Sequence, residues 1–571
     1  MEALGVIPHR REVLAAFLGL PAAVAACRRG GDRIPAMPDG AFALRNELAG
    51  HRLRDMPALT PAAEDWERAM VVIVGGGAAG LAAAWRLARA GFDDFLVLEL
   101  GSAAGGTSRA GHSALGGHPW GAHYITAPMR DNRATIAVLD EMSIFEGRDD
   151  AGRPIVAEHH MCRDPEERLF FRGRWYEDLY LYAGASADDL AQRRDFDAVL
   201  GYLSEWRDSR GRRAFALPSS QSSDDPEILA LDRMTMAEWM DRQGFTSPRL
   251  RWYADYGCRD DYGLGLDHTS AWAGLFYYVA RLERGADDYQ PVVTWPEGNG
   301  RLISHLAERA GHRLRTGWTV CEIRQPGGSA AADADPGVGA GVDVAGRPPG
   351  PIEVLALTDG GTRVRGIRAE RVIFAAPQFT APYIVRDYRQ HRPDHIAEFD
   401  YGPWLVANLT LRERPRGRGF PLAWDNVLYG SPALGYVVAA HQRGLDHGPV
   451  ILTYYYPLLD SDSSAARRRL LSTSWAEWAD VVLSDLERAH PDIRQLTERI
   501  DMVRWGHAMV RPRPGFRSGR ARHAAAVPYR GIHFAHSDLS GVSLFDEALD
   551  HGVRAAEEIL AAYHLPYRTA R

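Results

Sequence analysis

The residues best placed to do chemistry are glycines that follow a short β-branched run. Gly75, Gly77 and Gly80 form the pattern G-x-G-x-x-G directly after residues 71–74, which read Val-Val-Ile-Val. This order predicts a buried strand, a tight turn at Gly75 and a helix whose N-terminus faces a phosphate. Gly77 allows the backbone to approach the pyrophosphate, Ala79 lies in the same turn, and Gly80 allows helix and strand to pack closely.

An acidic residue completes the pattern. Glu99 ends the next apolar run, residues 95–98, close to the spacing of about twenty residues that dinucleotide sites require. A carboxylate there can accept hydrogen bonds from a ribose, which favours an adenosine without a 2′-phosphate over NADP. Strand, glycines, helix, strand and acid occur in order and predict a dinucleotide site.

The residues that follow favour FAD over NAD. Gly105 and Gly106 are succeeded by Thr107 and, two positions later, by Arg109. Here the chain resembles the flavin-containing amine oxidase superfamily, which also includes phytoene desaturases and protoporphyrinogen oxidases. The resemblance implies a second glycine pair followed by a phosphate-binding arginine. Since Thr107 occupies the arginine's place, we expect Arg109 to replace it.

The C-terminal part of the chain carries the same resemblance. Residues 532–535 predict a strand, the acidic residue Asp538 follows, and a helix is predicted from about residue 545 to 562. The resemblance implies that Asp538 contacts the ribityl chain or pyrophosphate; the alternative is a plain strand–turn–helix with a capping aspartate. It also implies that the backbone of Val320 meets the adenine and that Ala376 ends a strand leading out of the FAD domain. No cysteine occurs in this last segment, so we predict non-covalent FAD.

These motifs indicate an α/β fold: a Rossmann-type, glutathione-reductase-like FAD-binding domain with an inserted α+β substrate domain. A chain of 571 residues is too long for one compact core. Residues 325–351, dominated by Gly, Ala, Pro and Asp, predict a long loop. The predicted division is a signal at 1–27, a linker at 28–67, an FAD domain at 68–130, 296–378 and 515–571, and a substrate domain at 131–295 and 379–514.

Four residues are candidates for catalysis. His123 and Tyr124 belong to a stretch that, by the resemblance, runs under the isoalloxazine. His507 lies near the return to the FAD domain, in a segment similar to the spermidine dehydrogenase branch. One aspartate of the polar cluster at residues 258–263, before an aromatic helix, is expected to face the pocket and pair with a cationic substrate or Arg259, and Asp261 is the candidate. For each, a structural role is the alternative.

The basic residues of the chain are all arginine, so no lysine can act as a base or hold a water. Many members of the superfamily use a lysine that holds a water at flavin N5. We therefore expect His507, His123 or Tyr124 to serve in its place.

The N-terminal sequence predicts a targeting signal. Arg10 and Arg11 precede an apolar stretch at 13–26, which ends in small residues before Cys27. The pattern is similar to a twin-arginine export signal with a bacterial lipobox, in which Cys27 is lipidated. This route moves folded proteins, which suits a flavoprotein. An ordinary N-terminal helix is the alternative; export to the periplasm or cell surface, with lipid anchoring, is the expectation.

Composition limits the partners. A net charge of −7 argues against nucleic acid, and the cysteine spacing predicts no metal site. The leading hypothesis is oxidation of an amine, such as a polyamine, by hydride transfer to flavin N5, with a quinone, cytochrome or oxygen as acceptor. The alternatives are a desaturase or isomerase of an isoprenoid or lipid, and a non-catalytic flavin-binding assembly or electron-transfer protein. The first predicts acids and aromatics around the substrate, and the second predicts an apolar tunnel.

Overall fold

The computed structural model describes residues 37–44, 50–56, 59–150, 152–283, 285, 290–325 and 350–571. The predicted signal, with Arg10, Arg11 and Cys27, lies outside these residues, as does nearly all of the predicted loop at 325–351. Within the described ranges, none of the helices combines the length and the apolar composition that crossing a membrane requires.

The helices and strands account for most of the described chain. The helices are α1 (Ala78–Arg89), α2 (Arg133–Glu141), α3 (Ala187–Glu205), α4 (Pro226–Ala230), α5 (Met236–Gln243), α6 (Pro248–Tyr262), α7 (Ala271–Val279), α8 (Gly300–Ala310), α9 (Ala381–Ile384), α10 (Arg386–Gln390), α11 (Ser463–Ser472), α12 (Trp475–Glu487), α13 (Ile493–Leu496), α14 (Arg520–Ala526) and α15 (Phe545–Ala562). The strands are β1 (Asp39–Phe42), β2 (Trp66–Val74), β3 (Phe95–Glu99), β4 (Ala110–Ser113), β5 (Gly116–Pro119), β6 (Tyr124–Thr126), β7 (Phe145–Arg148), β8 (Pro154–Val156), β9 (Glu167–Phe171), β10 (Arg174–Glu177), β11 (Val292–Thr294), β12 (Leu314–Thr316), β13 (Thr319–Arg324), β14 (Ile352–Thr358), β15 (Arg363–Phe374), β16 (Tyr401–Leu411), β17 (Asp425–Leu428), β18 (Gly435–Val438), β19 (Val450–Pro457), β20 (Thr497–Val510) and β21 (Ile532–Phe534).

A seven-stranded sheet carries the glycine motif. Its order is β12-β3-β2-β15-β14-β13, and β21 pairs with β15. Strands β12, β3, β2, β15 and β21 run parallel, so their carboxyl ends meet at one edge. The continuous run Val71, Val72 and Ile73 is fully buried, as expected for a parallel strand covered on both faces. Helices α1 and α15 pack together, and Gly552 lets α15 approach the Ala79 carbonyl.

An eight-stranded sheet forms the second layer, in the order β1-β20-β16-β19-β18-β17-β9-β10. Side chains of β16 alternate between its two faces. Leu405, Ala407 and Leu409 pack in a core with α11 and α12. Trp404 and Val406 belong to a different core on the other face, which we call the inner face.

The α/β fold expected from the sequence is confirmed, and two segments differ from the predicted division. Residues 39–42, placed in the linker, form β1, which pairs in parallel with β20 from Arg499 to Met502. Helix α2, placed in the substrate domain, packs in the core of the FAD domain through Val138 and Leu139. In both cases the deciding partner lies hundreds of residues away, where local composition gives no signal.

Candidate active site

The glycine turn has the geometry that the motif requires. Gly75 has a φ of +109°, and a Cβ there would lie 2.8 Å from the Ala375 carbonyl oxygen. A Cβ on Gly80 would lie 1.8 Å from the Gly75 oxygen, so only glycine allows α1 to pack this closely on β2. A Cβ on Gly77 would meet nothing within 4 Å. Gly77 caps α1 without a side-chain hydrogen bond, which leaves the first N–H groups, including that of Ala79, for an anion.

Glu99 lies at the carboxyl end of β3, where the sequence places it. Its carboxylate accepts hydrogen bonds from the backbone N–H of Gly76, at 2.8 Å, and of Gly101, at 2.7 Å. The side chain therefore holds the glycine turn against the next loop. The contact with a ribose stays a prediction.

Arg109 is a buried cation with an unsatisfied donor. The residue is 7% exposed, and its Nη1 has no hydrogen-bond partner in the described part of the chain. Burial lowers its pKa, an effect that the negative charge of Glu99 opposes. Gly105, with a φ of +123°, makes room for it, since a Cβ there would lie 2.7 Å from the Arg109 Cγ. A buried guanidinium with a free N–H fits a phosphate group.

Asp538 is engaged by protein groups. Its carboxylate accepts hydrogen bonds from the Gln378 N–H, at 2.9 Å, and from the Tyr401 hydroxyl, at 2.6 Å, and His536 Nδ1 lies 2.9 Å away. Burial raises the pKa of Asp538, but these partners outweigh it and the net shift is downward. Asp538 thus ties the turn after β21 to the chain beyond Ala376. Its contact with the ribityl chain stays a prediction, as does the contact of the buried Val320 with adenine.

A cavity lies on the inner face of the eight-stranded sheet, against residues 121–126 and the N-terminus of α15. It encloses about 1070 Å³, including the part open to solvent. The FAD domain contributes Thr107, Gly121 and the N-terminus of α15. Aliphatic and aromatic side chains make up most of the walls, and the aromatic lining residues are His123, Tyr124, Tyr256, Trp404, Tyr455, Trp505 and Phe545.

Four aspartates also line the cavity; Asp261 forms an ion pair, and Asp546 accepts hydrogen bonds from two side chains. Arg281 Nη2 binds both carboxylate oxygens of Asp261, at 2.9 and 2.8 Å. Asp546 accepts hydrogen bonds from Asn132, at 2.6 Å, and Thr135, at 2.7 Å. The expectation that Asp261 pairs with a substrate or with Arg259 is therefore not met, because Arg281 already provides its counter-ion.

The other two aspartates have no ion pair in the described part of the chain. Asp260 accepts a hydrogen bond from the Tyr277 hydroxyl and Asp425 from the Tyr256 hydroxyl, each at 3.2 Å. Burial raises the pKa of both. The charge of Asp261 raises that of Asp260 further, to about 7, and the charge of Asp260 raises that of Asp425 further, to about 8. Asp260 belongs to the polar cluster from which the sequence analysis chose Asp261 as the candidate. The sequence analysis missed Asp425, which begins a short strand and carries no local signal.

His123 and Tyr124 lie in the cavity, as expected. The His123 ring centre lies 4.8 Å from that of Tyr455 and 5.3 Å from that of Trp424. Burial lowers the pKa of His123 to about 4, so its ring is neutral at pH 7. A neutral imidazole of such low pKa is a weak base, so His123 contributes shape and polarity more than proton transfer.

The structure does not bring His507 to this cavity. Its ring stacks on Phe379 with centres 3.8 Å apart and lies 5.6 Å from Tyr401. Burial, with nearby arginines, lowers its pKa to about 3. The neighbouring Trp505 lines the cavity instead. The hypothesis that His507 is the base is thus not supported by its position.

A family model described as flavin-containing amine oxidoreductase matches residues 78–560. The chain belongs to this family. Membership of this family confirms the predicted FAD cofactor and the predicted enzyme class, an FAD-dependent oxidoreductase. No curated protein matches this amine oxidoreductase by sequence. No group of three or more His, Cys, Asp or Glu in the described ranges could hold a metal ion.

Solved structures share the fold at low sequence identity. Putrescine oxidase bound to putrescine is 17% identical, with a TM-score of 0.58 over 87% of this chain and 100% of that one. Cyclohexylamine oxidase from Brevibacterium oxydans IH-35A is 15% identical, with a TM-score of 0.56 over 86% and 100%. A CLA-producing fatty acid isomerase from P. acnes is 14% identical, with a TM-score of 0.57 over 87% and 98%.

The residues of this amine oxidoreductase fit FAD. The uncapped N-terminus of α1, the open space at Gly77 and the unsatisfied Arg109 lie where the pyrophosphate is expected. The N-terminus of α15 also has no side-chain cap, and it lines the cavity. Its N–H groups favour an electron-rich acceptor there.

The open space at Gly77 generates a prediction. Gly77→Ala keeps an ordinary φ of −76° and meets no protein atom, so we expect the apoprotein's Tm to change by less than about 2 °C. Because the new methyl group occupies the approach of the pyrophosphate, we expect the Kd for FAD to rise at least about tenfold. Flavin fluorescence titration and differential scanning fluorimetry measure the two quantities. Gly80→Ala is the control that should lower both stability and affinity; unchanged FAD affinity in Gly77→Ala would contradict the assignment.

Proposed function

We propose that this amine oxidoreductase oxidises an amine with a second cationic centre, such as a diamine or polyamine. One observation carries the proposal. Asp260 and Asp425, two half-buried carboxyl groups that form no ion pair within the described residues, line the same cavity as Gly121. Burying such groups is costly unless a cation accompanies the charged form, and a substrate ammonium supplies that cation.

The chemistry follows from the contents of the cavity. Bound FAD would supply the hydride acceptor for the carbon next to the reacting nitrogen. The chain's own residues bind and orient the amine: aromatic walls such as Tyr455 and Trp404 exclude water from the reacting end. His123 stays neutral there and does not repel an incoming ammonium. Asp260 and Asp425 hold the distant cationic end.

The lining argues against the two alternatives. A desaturase or isomerase of an isoprenoid or lipid needs an apolar tunnel, whereas four aspartates line this cavity. A flavin protein without turnover would leave the carboxyl groups of Asp260 and Asp425 without a cation. The similarity to a fatty acid isomerase concerns the fold, since identity is only 14%.

We further propose export and lipid anchoring through Cys27, with a quinone, cytochrome or oxygen as the electron acceptor. Residues 1–27 support this proposal by their composition alone. Membrane fractionation of Cys27→Ser is the test: the variant should move from the membrane to the soluble fraction, and unchanged distribution would exclude the lipid anchor.

The proposed substrate class is tested by anaerobic mixing. Diamines and polyamines should bleach the visible flavin band, and monoamines of matched length should do so more slowly, because they leave Asp260 and Asp425 without a cation. Stopped-flow absorbance measures the rates. If no amine bleaches a flavin that dithionite still reduces, the proposal is wrong.

The raised pKa of Asp425 predicts a pH dependence. A carboxyl group with a pKa of about 8 is mostly protonated at pH 6.5 and mostly ionised at pH 9. Only the ionised form attracts the cation, so the KM for a diamine should fall as pH rises through this window. Asp425→Asn should flatten this trend and raise the diamine KM about tenfold at pH 9, equivalent to ~1.4 kcal/mol.

Steady-state kinetics with a diamine and with a monoamine separate binding of the distant cation from general damage. Asp485→Asn is the control, since Asp485 accepts the Tyr454 hydroxyl on the outer face of the sheet. Equal effects of Asp425→Asn on both substrates would show that Asp425 does not hold the second cation.

A further inference from the structure

Three consecutive backbone carbonyls in the FAD domain are bound by side chains of the eight-stranded sheet. Asn408 Nδ2 donates to the Pro119 oxygen at 3.0 Å. Trp505 Nε1 donates to the Trp120 oxygen at 2.7 Å, and the Tyr455 hydroxyl donates to the Gly121 oxygen at 2.8 Å. We call Asn408, Trp505 and Tyr455 the carbonyl clamp.

The clamp comes from adjacent strands on one face of the sheet. Trp505, Asn408 and Tyr455 belong to β20, β16 and β19, which are neighbours in that order. The pairings Trp404 with Trp505 and Val406 with Tyr455 place these side chains on the inner face. The Thr453 hydroxyl donates to Asn408 Oδ1 at 2.7 Å, which orients the amide so that its NH₂ group faces Pro119.

The same backbone segment is bound from the opposite side by the loop after the second glycine pair. The Trp120 N–H donates to the Arg109 oxygen at 3.0 Å, and the Ala122 N–H donates to the Thr107 oxygen at 2.9 Å. A Cβ on Gly121 would lie 2.2 Å from the Thr107 oxygen, so any side chain at this position would collide with the loop. Residues 119–122 are therefore held between the two domains.

This two-sided bonding also sets the direction of one peptide. A trans peptide points its C=O and N–H in opposite directions. The bond from Trp505 to the Trp120 oxygen therefore turns the Gly121 N–H away from the sheet. None of the bonds above uses that N–H, and Gly121 lines the cavity.

We propose that the carbonyl clamp is a set of positioning residues that fixes residues 119–121 against FAD and sets their distance from the substrate-binding carboxylates. The donors and Asp425 stand on one sheet, since β17 lies two strands from β19. Strands are about 4.8 Å apart, so the separation across the sheet is about 10 Å. Because the sheet is continuous, a change at the clamp alters both the environment of the flavin and the length of substrate that fits. The second effect rests on the proposed function, and the first does not.

The flavin itself reports on the clamp without any amine. Tyr455→Phe removes one hydroxyl and leaves the ring. We expect the midpoint potential of the bound FAD to shift by about 30 mV, a tenfold change in the two-electron equilibrium, together with a change in the visible spectrum. Tyr454→Phe is a matched control, because Tyr454 adjoins Tyr455 but donates to Asp485 on the outer face. A Tyr455→Phe potential and spectrum equal to those of Tyr454→Phe would overturn the proposal.

Asn408→Leu provides an independent variant, because Asn408 does not line the cavity and cannot lose a substrate contact. It should shift the potential as Tyr455→Phe does. It should also reduce, at least threefold, the preference in kcat/KM for the best diamine over one two methylenes longer. If Asn408→Leu does not fold, Trp505→Phe, which removes the indole N–H donor and makes the ring smaller, takes its place in the potential measurement. A shifted potential without turnover of any amine would retain the clamp and reject the proposed substrate; an unshifted potential would reject the clamp.

Discussion

The close packing of α1 between the sheet and α15 is the constraint on which the site depends. Gly80 brings α1 onto the Gly75 carbonyl, and Gly552 brings α15 onto the Ala79 carbonyl. In each contact any side chain would collide with backbone. The two helices therefore have fixed positions relative to the parallel strands. Their uncapped N-termini then face the pyrophosphate position and the cavity, and the anion-binding end and the reacting end of FAD are placed by one packing arrangement.

Charge is distributed unevenly around this arrangement. The phosphate end has a buried arginine with an unsatisfied donor, and the substrate end has carboxyl groups without counter-ions. Asp261 is neutralised within the protein, because Arg281 donates hydrogen bonds to both of its carboxylate oxygens. Asp260 lies next to it in the chain and receives only a tyrosine hydroxyl. The chain has no lysine, and His123 is neutral because its pKa is about 4. Aspartates with a raised pKa, such as Asp425 with a pKa of about 8, are therefore the cavity groups that titrate closest to neutral pH.

The sequence predicts the parts of the site that are local in the chain. The glycine turn, Glu99 and the final helix lie within short windows, and their order alone indicates a dinucleotide fold. The side chains around the substrate could not be found this way. Asp425 begins a strand whose neighbours include β9, more than 250 residues earlier, and its burial depends on that pairing. His507 and His123 are equally good candidates in the sequence. His507 lies in β20, and the sequence around it does not show which face of the sheet its side chain occupies. The neutral state of His123 likewise follows from rings that only the folded chain assembles.

Asp425 lies on β17, towards one end of the eight-stranded sheet, and Asp260 lies on helix α6, whereas the hydrogen bonds to residues 119–121 come from the middle and other side of the sheet. This separation makes the architecture evolvable. Substitutions at Asp260 and Asp425 can exchange acids for neutral residues while the strands that bind residues 119–121 keep their sequence. A lineage built on this sheet can therefore drift from charged to uncharged substrates in small steps without passing through a form that has lost its cofactor.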